Sequence, residues 1–514
     1  MTSTSRGGIT PQTLTADLAM GARKLVAKTI LPLGLVSVLL AGYLTAMGRP
    51  GGLGLVAIGL GCCVVFSVWQ GHGISVPLLP LVAVQHLMVY GLPIAITNDI
   101  TTQYPAGMIT RAGLEVLTFL IALAAGWRFG MRIFQPSPPV AYTLRILHAE
   151  GNSGLRRIGY ILILSITLYS FLQSVDLLSI VMNVLPSGSE SIISALATVV
   201  GMCGFFIIAL EVGSGTASGQ NAAFFWVLFA ANCLLTAAGL LLSSTTGFVG
   251  ATAIGLFWGS QRLPWRFLAI VLTLLAFLNL GKYEMRGRYW ETSDDFIPYV
   301  SLGDMPARYT EWSQVSLEAL TNPVSHSKED RTLDTNDNSL LARIDNLQNL
   351  LYVMNEEETH HTPLLQGATY SIIPSLLIPR ILWPDKPRAH EGQVMLNVHF
   401  GRQDLISSYR AYIAWGLLPE AYGNFGPWFG AIALGLVLGV LCAWFENAFS
   451  NKPVLSLEGF LAFTIFLGVA ASFEMVASVL VTSLFQAVVV VIGACLPFVD
   501  RTTVARPDPR SHHE

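Results

Sequence analysis

The chain has 514 residues, 53% of them hydrophobic and 12% charged, with a mean hydropathy of +0.57. Soluble globular chains carry about 25% charged residues, so this composition belongs to the membrane class. The net charge of −3 gives no footing for nucleic-acid binding. The six cysteines all fall inside apolar runs, which argues against a disulfide framework or a cysteine-based zinc or redox centre.

Residues 1–28 form a polar, basic lead that is longer than that of a signal peptide, and the apolar stretch after it reaches residue 48. That pattern predicts an uncleaved first span with a cytoplasmic N-terminus. Apolar runs of spanning length, about 20 residues each, follow in order. They fall near 29–48, 51–69, 74–97, 112–130, 158–181, 190–211, 222–243, 246–260 and 265–281, then 427–446, 458–476 and 478–498. The expected fold is an all-α polytopic membrane protein with about twelve spans. Its regions are a bundle over 1–281, a large extracytoplasmic loop over 282–426, and C-terminal helices with a tail over 427–514. No internal repeat is visible, which weakens a transporter built on duplicated halves. The glycine-rich run 51–61 lies inside a span and reads as close helix packing.

The cations of the short loops orient the chain. Arg6, Arg23, Lys24, Lys28, Arg128, Arg132, Arg145, Arg156, Arg157, Arg262, Arg266, Lys452, Arg501, Arg506 and Arg510 fall on one side if the spans alternate. The opposite short loops carry Arg49 and Arg111. Both termini are therefore expected in the cytoplasm, and 282–426 outside. That loop holds twelve of the 29 cations and 19 of the 32 acids. Its stretch 321–339 has the low hydrophobicity of a mobile lid. From Leu340 to Met354 leucines return at helical spacing.

Chemistry concentrates in the same loop. The segment 369–387 is apolar, interrupted by Pro374, Pro379, Pro384 and Pro387, and carries Arg380, Asp385 and Lys386. It is too short to span, and its prolines favour fixed irregular backbone at a water-filled, anion-binding cavity, a re-entrant element. Arginine presents a planar fork of donors to phosphate oxygens and lysine a point charge. The alternative is interfacial anchoring by Arg380, Trp383 and Lys386. Arg343 and Asp345 lie on the amphipathic 340–354 stretch, either on a solvated face or turned into a cavity. Glu420, Tyr422 and Asn424 enter the tenth span, where Gly423, Gly426 and Gly430 permit close approach of backbone to a ligand. A helix cap with interfacial aromatics is the competing reading. Lys282, Arg286 and Arg288 form a cationic rim beyond the ninth span. His360–His361 lacks a third ligand at a known spacing, so no metal is expected.

Taken together, these residues resemble a known family. Arg343-x-Asp345, Gly367-x-x-Tyr370, Ile378-Pro379-Arg380-x-x-Trp383-Pro384-x-Lys386-Pro387 and Pro419-Glu420-x-Tyr422-x-Asn424-Phe425-Gly426 resemble the Wzy-like oligosaccharide repeat-unit polymerases of O-antigen and exopolysaccharide assembly. The likeness covers roughly 280–445. It implies a GT-C-like membrane glycosyltransferase in the bacterial inner membrane, using an undecaprenyl-diphosphate-linked oligosaccharide donor. It implies no cofactor and no metal, with membrane lipid, a flippase and a chain-length regulator as partners.

The residues suit that chemistry. A lipid-diphosphate leaving group needs preorganised cations, for which Arg286, Arg288, Arg343, Arg380, Lys386 and Arg410 are candidates. An attacking sugar hydroxyl calls for a carboxylate base. Asp345 and Glu420 come first, with His390 and Asp385 behind them. Tyr422, Asn424 and Trp383 are candidate substrate contacts, and Trp290 and Trp312 further sugar platforms. Two alternatives stay open: an O-antigen ligase-type transferase, and a lipid-linked glycan flippase. A flippase should line its spans with charge. Here the intramembrane acids are Glu115, Asp176, Glu211, Glu446 and Glu474, which favours chemistry at one face.

Overall fold

The computed structural model describes residues 15–96, 103–138, 140–175, 177–178, 189–240, 242–289, 300–321, 345–379, 382–383, 385–410, 412–472 and 474–503. The N-terminal half comprises α1 (Thr15–Ala46), α2 (Gly52–His72), α3 (Leu78–His86), a π-helical turn (Leu87–Gly91), α4 (Leu92–Ile96), α5 (Ala106–Ile133), β1 (Val140–Leu144) and α6 (Arg145–Ser174). Then come α7 (Ser189–Ser214), α8 (Gly219–Ala237), α9 (Leu242–Ser260), α10 (Trp265–Tyr289) and α11 (Met305–Thr321). The insertion continues with α12 (Leu347–Thr359), α13 (Ala368–Ser371), α14 (Ile373–Leu376), α15 (Glu391–His399), α16 (Leu405–Arg410) and α17 (Leu417–Phe425). The chain closes with α18 (Phe429–Ala448), α19 (Leu457–Ala470), α20 (Ala477–Cys495) and β2 (Val499–Thr503).

Among the described residues, ten helices are long and apolar enough to cross a membrane. The other two expected spans are α9, with 19 residues, and α19, which has 14 and stops at Ala470. Beyond Ala470 the chain turns before α20 begins at Ala477.

Glycines set the helix contacts. A Cβ on Gly439 of α18 would overlap the Leu123 carbonyl of α5, and one on Gly126 of α5 would overlap the Leu436 carbonyl of α18. Gly113 of α5 meets the backbone of Gly54 in α2 in the same way. Lipid supplies no hydrophobic drive between helices, so such small-residue seams let backbones approach and gain dispersion contacts. The register of these contacts makes α2, α5 and α18 run parallel. Gly439→Ala should therefore cost about 1–3 kcal/mol through overpacking. Gly42→Ala in α1, where a Cβ meets nothing within 4 Å, should leave stability unchanged or raise it. Thermal unfolding of the purified variants reads both; equal melting temperatures would refute the seam.

The helix ends gather into two faces. On one, β1 pairs antiparallel with β2, Lys452 Nζ donates to the Pro138 carbonyl at 2.9 Å and the Tyr142 amide donates to the Glu458 carboxylate. The insertion folds onto the opposite ends. Its anchors are the Arg111–Glu358 ion pair at 2.6 Å and the Asn346 amide on the Val89 carbonyl at 3.1 Å, and just beyond its end the Trp428 amide donates to Glu115 Oε1 at 2.9 Å. Val89 lies in the π turn, whose wider hydrogen-bond ring leaves a carbonyl open to an outside donor. The insertion thus reaches into the third span.

Candidate functional site

The core of the site is a closed polar network on α17. Helix α17 starts after Gly416 and ends at Gly426, whose φ of 79° is a left-handed stop suited to glycine. Its side chains Glu420 and Asn424, one turn apart, are buried. Glu420 Oε1 accepts the Thr369 hydroxyl at 2.7 Å, and Oε2 accepts the Ala477 amide at 2.6 Å. Asn424 donates to Thr369 Oγ1 at 2.9 Å and to the Glu420 carbonyl at 2.8 Å, and accepts the Gly367 amide at 3.1 Å. This one cluster ties α17 to α13 and to the first turn of α20. Burial pushes the Glu420 carboxyl up to about 7, with the Ala477 amide and the Thr369 hydroxyl pulling it back. Tyr370, stacked on Phe425 at 5.6 Å, lies close enough for Glu420 to add to the rise in its phenol pKa that burial causes.

A second polar network adjoins it on α12. Asp345 Oδ1 accepts the Gln348 amide at 3.0 Å, so this buried carboxylate caps the helix. The described helix is Leu347–Thr359, which carries the expected 340–354 pattern on through Glu356, Glu357 and Glu358; residues 340–344 lie outside the described residues. Asn349 donates to the Trp415 carbonyl at 3.1 Å and accepts Arg402 Nη1 at 2.8 Å. The Arg402 guanidinium sits over the rings of Tyr352 and Trp415, 5.5 and 5.6 Å from their centroids. Trp415 Nε1 donates to Asn397 Oδ1 at 2.7 Å.

The other expected residues divide. Tyr422 is on α17, its hydroxyl 3.4 Å from Glu357 Oε2. Lys386 Nζ donates to the carbonyls of Leu376 and Ile378 at 2.6 and 2.5 Å. Trp383 is exposed. Arg286 and Arg288 lie elsewhere. Arg286 donates to the Leu240 carbonyl at 2.9 Å, and Arg288 pairs with Glu284 and with Glu311, the latter at 2.7 Å. Arg288 belongs to the contact between α10 and α11, whereas Arg286 ties α10 to Leu240 between α8 and α9; an apolar cluster around Met285 and Trp312 spans both contacts. Arg343, Arg380, Trp290 and Asp176 lie outside the described residues, and of Arg410 only the helical backbone is described.

Two expectations need correction. Trp312 is no sugar platform, because it is fully buried and its indole N–H donates to the Leu278 carbonyl. The glycines after Glu420 admit protein, not ligand: a Cβ on Gly430 would meet the Ala421 carbonyl at 2.5 Å, and Gly426 faces Leu364. His390 stacks on Tyr412 at 4.2 Å and bonds Gln393 at 2.6 Å. His360 bonds Glu356 at 3.0 Å. A cleft of about 470 Å³ between α10 and α11, with Phe277, Tyr309 and Leu317 in its walls, holds none of the expected site residues.

Thr369, Arg402, Asn349 and Trp415 escaped the sequence reading. Thr369 adjoins the flagged Gly367 and Tyr370, but a threonine among apolar residues carries no signal of its own. Arg402 sits in a short polar turn with no accompanying motif. No protein-family model, curated protein or solved structure matches this chain.

Proposed function

We propose that the chain is a membrane glycosyltransferase of the repeat-unit polymerase kind, acting on lipid-diphosphate-linked oligosaccharides. On this reading it is a GT-C-like protein with twelve transits in a bacterial inner membrane, its termini cytoplasmic and residues 282–426 outside. The observation that carries the proposal is Glu420, a carboxyl raised to about 7 by burial, carried on α17 and bonded to Thr369 at the start of the proline-rich segment. A group that titrates near neutrality is suited to take a proton from a sugar hydroxyl. The hydroxyl oxygen attacks the anomeric carbon of the donor sugar, the bond to the lipid diphosphate breaks, and the proton passes to Glu420. Negative charge grows on the leaving diphosphate, where Arg380 is the proposed partner. Asp345 keeps the capping role its geometry gives it. The Glu420 network is complete as it stands, so an acceptor reaches the carboxyl only when α13 lifts away and frees Thr369.

Arg380 tests the reading. Arg380→Ala removes a charge-assisted contact worth about 1.5–3 kcal/mol in binding, and more as charge grows in the transition state. Arg380→Lys should restore part of the loss, since lysine keeps the charge without the fork. The measurement is polysaccharide ladder length from cells carrying each variant at matched membrane level. Normal ladders from Arg380→Ala would remove the residue from the site. Full rescue by lysine would assign it to interfacial anchoring, where either cation can snorkel.

A further inference from the structure

We infer that the described residues Ile378, Leu382 and Trp383, clasped at their base by Lys386, form a wedge that dips into the lipid headgroup–acyl boundary beside the end of α20. Its described apolar side chains point away from the protein: Leu382 is 76% exposed, Trp383 42% and Ile378 39%. In water such a tip would be a liability, and lipid is the medium that removes it. The occupant is set by what lies beneath. Helices α13 and α14, which lead into the turn, both pack on α20. Helix α20 is a membrane-spanning candidate with Phe485, Val489 and Ile492 exposed along its length. The turn therefore leaves the protein at the outer end of a bilayer-facing helix.

The backbone chemistry supports the same placement. Irregular backbone enters a lipid boundary only if its polar groups are satisfied internally. Four prolines, at 374, 379, 384 and 387, remove N–H donors. The amides of Ser375, Ile378, Leu382, Trp383 and Lys386 each donate to a carbonyl of the same segment, namely those of Ile372, Ser375, Pro379, Pro379 and Trp383. The two carbonyls at the base, Leu376 and Ile378, accept the Lys386 ammonium. Trp383 is the side chain suited to the boundary, with an apolar ring and one N–H. Lys386 acts here as the clasp of the wedge.

The test needs no enzymatic activity, so its outcome is separate from that of the proposed reaction. The full-length protein carries Leu382→Cys labelled with bimane, in phospholipid nanodiscs, with signal from the native cysteines subtracted using the unsubstituted chain. A second chain carries the label at Thr359→Cys, an exposed site at the end of α12. Lipids brominated on their acyl chains should quench the label at 382 and leave that at 359 bright, whereas aqueous iodide should do the reverse. Adding Lys386→Ala should reopen position 382 to iodide, because the base carbonyls then need water. Iodide quenching at 382 equal to that at 359, with no effect of brominated lipid, would overturn the wedge. So would a probe at 382 that neither agent reaches, since the turn would then be packed on protein.

Discussion

Glu420→Gln should abolish polymer formation while the protein still reaches the membrane at its normal level. The geometry permits most of the exchange. A glutamine oxygen can accept the Ala477 amide, and its NH₂ can donate to Thr369 Oγ1, which also accepts Asn424, so the Thr369 hydroxyl proton alone must find a new acceptor. Glu420→Ala has no such repair. It strands the Ala477 amide and the Thr369 hydroxyl in a buried site, each unsatisfied group costing about 1–3 kcal/mol, and expression should fall. The pair separates a base from a structural staple, because a staple tolerates glutamine with full ladders.

The pH dependence gives a second reading of the same group. The carboxyl is raised from 4.5 to about 7, so the native state holds its proton more tightly than the unfolded chain does. Its contribution to stability is fully present below about 4.5 and is lost as pH rises through about 7. The melting temperature should therefore decline over that window, and the decline should shrink in Glu420→Gln. Turnover should rise over the same window as the base ionises. An unchanged pH profile of stability in the glutamine variant would place the titration elsewhere.

Glu446 should behave oppositely, with a large effect on stability and none on chemistry. It is fully buried in α18, and its Oε1 accepts the Trp69 indole N–H at 2.7 Å. Oε2 and the Trp127 indole N–H are both buried without a hydrogen-bond partner among the described residues. Glutamine keeps an oxygen for Trp69 but puts a buried NH₂ group where Oε2 now lies, so Glu446→Gln should cost about 1–3 kcal/mol. Glu446→Ala adds a cavity, with large-to-small core changes costing about 2–5 kcal/mol. Both variants should unfold at lower temperature, yet the protein that survives should make normal polymer. An intramembrane acid is a functional candidate by default. Full stability with lost polymer in Glu446→Gln would return it to that role, whereas the buried Trp69 bond makes it a pin that joins α2 and α18.

The residues of the candidate site were unevenly legible. Glu420, Tyr422 and Asn424 could be read from sequence because they share one helical turn at the mouth of a span, and the structure keeps them on α17. Lys386 and Trp383 stood out as a cation and an indole among prolines. The cationic rim of Arg286 and Arg288 was legible as charge but not as to its partners, because charge near a span end is common to interfacial pairs and binding sites. Arg288 answers to Glu284 and Glu311 where α10 meets α11, and Arg286 to the Leu240 carbonyl between α8 and α9. The reach of α12 depends on a cap at Asp345 and on a carbonyl opened by the π turn. Leucine periodicity carries neither signal.

Composition and hydrophobic run length by themselves determined that this is a helical membrane protein with a polar insertion, because burial in lipid demands long apolar helices whatever their neighbours. The glycine-rich run 51–61 likewise announced a close seam, where Gly54 meets Gly113. Only the tertiary structure decided which helices share a seam, that α19 stops at 14 residues, and that Glu420 finds its partners at Thr369 and Ala477, fifty-odd residues before and after it in the chain. The physical reason is that apolar patterning records which face must leave water, while a buried polar group must be satisfied by whichever distant segment the fold brings beside it.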